Sequence, residues 1–147
     1  MNKDGDIIII EDDEDDHFLF EQAFLSLNYP NNRRYFLNGV NALEYLHSTT
    51  ETPFLILSDI NMPILNGFEL KQKIHTDAEL SLRCIPYLFF TTGINQKLVI
   101  EAYSASAQGF FVKPSSYTEV ENILKVIIEY WRKCAAPNDY KTLKTQD

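Results

Sequence analysis

Short aliphatic blocks and helical stripes alternate along the chain. Ile7–Ile10 is a run of four β-branched residues bounded by charge, and it predicts a strand buried on both faces. Acids then open a stretch in which Phe18, Leu19, Ala23 and Leu27 recur at helical spacing, broken by Asn28-Tyr29-Pro30-Asn31-Asn32. Residues 33–37 predict a short strand, and after Gly39 the residues Val40, Leu43, Leu46 and His47 share one helical face. Pro53 precedes Phe54-Leu55-Ile56-Leu57-Ser58, a second buried strand ending at Asp59. Phe68, Leu70 and Ile74 predict another helix, whereas residues 77–83 read as loop. Pro86 introduces a third buried strand, Tyr87-Leu88-Phe89-Phe90-Thr91. Leu98, Ile100, Ala102, Tyr103 and Ala105 fit a helix between Gly93 and Gly109, and Phe110-Phe111-Val112-Lys113 is a strand stopped by Pro114. The last helix is the clearest, with Val120, Ile123, Leu124, Ile127, Ile128 and Trp131 at three- and four-residue steps.

Five strand–helix pairs in alternation predict an α/β fold, a doubly wound parallel sheet of five strands covered by five helices. The domain is expected over residues 1–134, with a polar tail over 135–147. In such sheets ligands gather at the carboxyl ends of the strands. That rule collects Glu11 and Asp12, Asp59, Thr91 and Thr92, and Lys113 on one rim.

Composition narrows the function. At 147 residues, 45% hydrophobic and 13% aromatic, the chain has the means to bury a core, which excludes wholesale disorder. The net charge of -8 argues against nucleic acid as a partner. No aliphatic run reaches the roughly 18–20 residues that span a bilayer. No leader pattern is present, so a cytoplasmic location away from membranes is expected. Cys84 and Cys134 are too few for a disulfide framework and are expected to be inert free thiols. Six of the 21 acids stand consecutively at 11–16, and the other 15 nearly balance the 13 bases. The excess charge is therefore local. A solvated acidic run is the ordinary fate of such a stretch. At a central strand exit, however, mutual repulsion favours a cation between the acids.

Three carboxylates without a neighbouring His or Cys set make a hard-oxygen site, suited to Mg2+ rather than zinc. His17, His47 and His75 lack paired spacing, and His17 is expected to be a solvated helix residue. A lysine and a hydroxyl facing the metal would hold phosphoryl oxygens, and a carboxylate there can itself attack phosphorus. Asp59 is the best nucleophile candidate, because it ends the presumed central strand apart from the acidic run. Gly67 and Gly109 read as backbone-conformation residues, and Tyr130 with Trp131 as the end of the last helix's core face.

The segments IIIIEDD, LILSDINMPILNG, YLFFTTG and FFVKP, in this order over roughly residues 6–133, resemble the signature segments of response regulator receiver domains of two-component signalling. The resemblance implies a flavodoxin-like sheet in order 2-1-3-4-5. It implies Asp59 as phosphoacceptor, Asp12 as a direct Mg2+ ligand, and Glu11 acting mainly through water. Asn61 would supply a backbone carbonyl to the metal. Thr91 matches the switch hydroxyl, Phe110 the switch aromatic and Lys113 the lysine of the family, with the Lys113–Pro114 bond expected to be cis. Glu11 stands where aspartate is common, and Thr92 where a small residue is typical. The implied role is a phosphorylation-dependent switch rather than a conventional enzyme. A sensor histidine kinase or a histidine phosphotransfer protein would be the donor, and the helix end and tail resemble stand-alone receivers of phytochrome-type kinases. Phosphorylation would draw Thr91 inward, let Phe110 rotate, and change the surface read by a downstream protein. A homodimer through residues 120–131 is an alternative use of that aliphatic face. Three other functions compete. A degenerate receiver serves only protein contacts, and a flavin carrier is opposed by the acidic first loop. An aspartyl phosphohydrolase would want a carboxylate where Asn61 stands.

Overall fold

A computed structural model describes residues 1–137 and 139; the remainder of the expected polar tail lies outside the described residues. The strands are β1 (Ile7–Ile10), β2 (Arg33–Phe36), β3 (Leu55–Ser58), β4 (Tyr87–Thr91) and β5 (Phe110–Val112). The helices are α1 (Glu14–Leu27), α2 (Gly39–Ser48), α3 (Gly67–Thr76), α4 (Ala78–Leu82), α5 (Gln96–Ser104) and α6 (Tyr117–Lys133). The sheet order is β2-β1-β3-β4-β5, and every pairing is parallel. This is the flavodoxin-like arrangement.

The period-2 geometry of β1 explains its sequence. Ile7 and Ile9 pack into one layer with Phe20, Phe24, Leu124 and Ile128 of α1 and α6. Ile8 and Ile10 face the other layer, with Ala42 and Leu46 of α2, Leu70 and Ile74 of α3, and Ala102 of α5. All four isoleucines are at most 1% exposed, so a polar residue anywhere in the run would enter a core.

Among the described residues, six helices stand where five were expected. The addition is α4, five residues read as loop, because so short a helix leaves no periodic stripe. Its evidence is in its cap: Asp77 accepts from the backbone N–H groups of Glu79 and Leu80 at 3.0 and 2.9 Å. Arg83 then ties this turn to α2 by donating to the carbonyls of Leu46 and Thr49 at 3.1 and 2.9 Å.

Two helix faces differ from expectation. Phe20, Ala23 and Phe24 are the buried residues of α1, while Phe18 is 68% exposed. On α5 only Ala102 is buried, and Ile100 and Tyr103 point to solvent. The α6 stripe does face the core, with Val120, Leu124, Ile127 and Ile128 buried, while Val126 on the same helix is 64% exposed. Trp131 joins that core, but Tyr130 lies outside it, edge-on to the Trp131 ring at 5.2 Å.

A charged clasp holds the β2 edge to α1. Arg33 donates from Nε and Nη2 to the two Glu21 oxygens at 3.0 and 2.6 Å, and the Tyr35 hydroxyl adds a bond at 2.8 Å. The Arg33 bonds hold the Glu21 carboxyl below its ordinary value of 4.5. A depressed acid contributes stability above that value and loses it as pH falls through the folded value. Glu21→Gln should lower unfolding free energy by about 1 kcal/mol near neutrality, the range of a well-formed, solvent-screened pair. The deficit should narrow below pH 4.5, which urea midpoints across that range would measure.

Candidate functional site

Glu11, Asp59 and Lys113 each sit one residue past a strand and are still held by the sheet, and Thr91 ends β4. The N–H of Glu11 donates to the Phe36 carbonyl at 2.9 Å, that of Asp59 to Ile10 at 2.9 Å, and that of Lys113 to Thr91 at 2.8 Å. Side chains from β1, β3, β4 and β5 therefore meet on one rim through backbone register alone.

Glu11, Asp12 and Asp59 each place a carboxylate oxygen within 4.8 Å of the other two. Glu11 and Asp59 are buried at 3% and 9% exposure, whereas Asp12 is exposed. Lys113 reaches into this group. Its ammonium pairs with Glu11 at short range, with Asp16 at 3.0 Å and with Asp59 Oδ2 at 3.6 Å. Burial pushes the Glu11 acid upward, and the Lys113 bond offsets only part of this. Burial also works against charge on Lys113, but Glu11, Asp59 and Asp16 together outweigh it and hold the ammonium above its usual range.

Asp59 is fixed asymmetrically. Its Oδ1 accepts the Ile60 N–H at 2.7 Å and the Thr91 hydroxyl at 2.6 Å, while Oδ2 lies 3.6 Å from the Lys113 ammonium. Of the two threonines, Thr91 is 1% exposed and is the one bonded to Asp59, whereas Thr92 is exposed. Thr91 points inward, its hydroxyl on Asp59. Phe110 on β5 is half-buried, with its ring 6.2 Å from that of Phe89. Asn61 is exposed two residues past Asp59.

Some contributors escaped the sequence reading. Asp16, one of six acids in a row, had no mark to single it out as a partner of Lys113. His17 is not a solvated helix residue: its Nε2–H donates to the Glu11 carbonyl at 2.6 Å, and its ring lies 5.1 Å from Tyr35. The Lys113–Pro114 bond is trans, not cis, because the small preference at prolyl bonds leaves the isomer to its surroundings. Gly67 serves by absence of bulk rather than by a special φ: a Cβ there would overlap the Asp59 carbonyl and meet the Phe89 ring. Gly109 likewise leaves room for Leu88 and Phe111.

The donor set fits a hard divalent cation. Three carboxylates on a rim, with neither imidazole nor thiolate aimed at them, suit Mg2+ by softness and charge.

A model of the response regulator receiver domain matches residues 7–125. The chain belongs to this family. Receiver domains are the phosphorylation-controlled switches of two-component signalling. This receiver is 27% identical over 129 residues to a probable methanogenesis regulatory protein, FilR2, of Methanothrix harundinacea, covering 85% of this chain and 82% of the relative. It is 33% identical over 91 residues to chemotaxis protein CheY1 of Helicobacter pylori, covering 62% and 71% of the two chains. Among solved structures, the phosphorylated cyanobacterial phytochrome response regulator RcpA superposes with a TM-score of 0.80 at 26% identity, covering 90% of this chain and 97% of that one. Among the receiver's described residues, no helix is long and apolar enough to cross a membrane.

Proposed function

We propose that this receiver accepts a phosphoryl group on Asp59 and passes the signal on through protein contacts. The observation that carries the reading is the meeting of Asp59 with Thr91 on one oxygen and Lys113 beside the other. Lys113 and Thr91 are placed to hold oxygens of an incoming phosphoryl group, and the buried strand end fixes the attacking carboxylate. Asp59 Oδ2 would form the new bond to phosphorus as the donor's bond to phosphorus breaks. Glu11, Asp12 and Asp59, with the Asn61 carbonyl, would hold Mg2+. When bound, that ion would neutralise charge that otherwise repels the phosphoryl group.

A histidine kinase or a histidine phosphotransfer protein is the proposed donor. The likeness to RcpA, a phytochrome response regulator found in phosphorylated form, supports a phytochrome-type kinase. Ile100 and Tyr103 on α5 and Val112 on β5 are 46–58% exposed, and they support a downstream partner reading the edge that Phe110 borders. A cytoplasmic setting follows from these partners.

Incubation with acetyl phosphate and Mg2+ should add one phosphoryl group, mapped by mass spectrometry to Asp59, and chelation should return labelling to background. Labelling that persists without divalent ion would remove Mg2+ from the reading. Magnesium-saturated protein that stays unlabelled would favour a degenerate receiver.

A further inference from the structure

At the amino ends of the strands, across the sheet from the acidic rim, a cavity of about 350 Å3 opens between α3, α4 and the loop entering β5. Its floor is apolar, formed by Ile74, Leu80 and Ile85, none more than 8% exposed. Lys71 lines it. Only 9% of this residue is exposed, and among the described residues its ammonium has neither a hydrogen-bond nor an ion-pair partner. The side chain is packed along most of its length while its nitrogen opens on the cavity, and partial desolvation holds its pKa below the usual lysine value.

The surroundings supply donors. Gln108 Oε1 accepts the Tyr87 N–H at 2.7 Å, which leaves the Gln108 NH2 group free to donate. The hydroxyls of Ser81 and Ser106 stand at the mouth. Among the described residues, no carboxylate lines the cavity, although the chain carries 21 acids. One full positive charge over an aliphatic floor suits a carboxylate on a short stem. A phosphate dianion would call for more cations or a nest of backbone N–H groups.

We propose that this cavity binds a small aliphatic monocarboxylate, its oxygens on the Lys71 ammonium and the Gln108 amide and its stem on Ile74, Leu80 and Ile85. The volume is at the lower end for small-molecule sites and fits a ligand of this size. The site is separate from the phosphoacceptor and does not depend on the function proposed for it.

The test is a titration of isotope-labelled protein with 3-methylbutanoate, following backbone amide signals of Lys71, Tyr87 and Gln108 by NMR. Saturable shifts confined to the cavity are expected. Lys71→Met, similar in length but uncharged, should weaken binding at least tenfold, and Lys71→Arg should retain it. The matching alcohol, 3-methylbutan-1-ol, and inorganic phosphate should each bind at least tenfold more weakly than the acid. Absence of saturation, or equal binding by Lys71→Met, overturns the proposal. Equal binding of the alcohol reduces the site to an apolar hollow, and preference for phosphate removes the carboxylate class; either also overturns it. The acid–alcohol comparison uses the unsubstituted protein, so it decides the matter even if a variant misfolds.

Discussion

Asp59→Asn is expected to bring phosphoryl incorporation down to background from both acetyl phosphate and a kinase donor. The amide keeps an acceptor oxygen for the Ile60 N–H and the Thr91 hydroxyl, the two bonds that fix the side chain, so the local fold should persist. It lacks the anionic oxygen that faces Lys113 and would attack phosphorus. Removing one of three carboxylates within 4.8 Å of each other also relieves repulsion. The thermal midpoint should therefore not fall below that of the parent. Undiminished labelling in this variant would move the nucleophile elsewhere, with Asp12 the first alternative.

Gly67→Ala should be the most damaging small substitution near the site. Gly67 opens α3, where its N–H donates to the Ile60 carbonyl at 2.8 Å, and the helix start is fixed by an Asn66–Glu69 capping box. An added methyl would overlap the backbone carbonyl of Asp59 and sit 3.1 Å from the Phe89 ring. Neither backbone nor a fully buried phenyl ring yields easily, so a cost of about 1–3 kcal/mol is expected. The displaced chain is the one that carries Asp59. Labelling should slow by up to about a hundredfold, the scale set by an ångström of misplacement at a reacting group. Urea midpoints and initial labelling rates measure the two effects separately. Parent-like values in both would show that the loop can retreat freely.

The sheet was legible because buried parallel strands announce themselves as short β-branched or aromatic runs, as at Ile7–Ile10 and Tyr87–Thr91. The rim was legible for the same reason: once strand ends are known, Glu11, Asp59, Thr91 and Lys113 must meet. Helix faces were less so. The first helix carries Phe18, Leu19, Phe20, Phe24, Leu25 and Leu27 around most of its circumference, and only its packing against α6 decides that Phe18 faces water. The α4 turn is too short to show a period. The bond from His17 to Glu11 and the solitary burial of Lys71 are tertiary facts that leave no trace in spacing.

The unequal treatment of the two Asp59 oxygens has a consequence for atom-level bookkeeping. With both lone-pair directions of Oδ1 engaged, the carboxyl is desymmetrised before any donor arrives, and only Oδ2 is free to become the bridging atom. If Asp59 is the acceptor, successive cycles of modification and hydrolysis should pass through that same oxygen. Isotopic oxygen introduced there would then be the isotope that travels with phosphorus whenever the acyl bond cleaves on its carbon side.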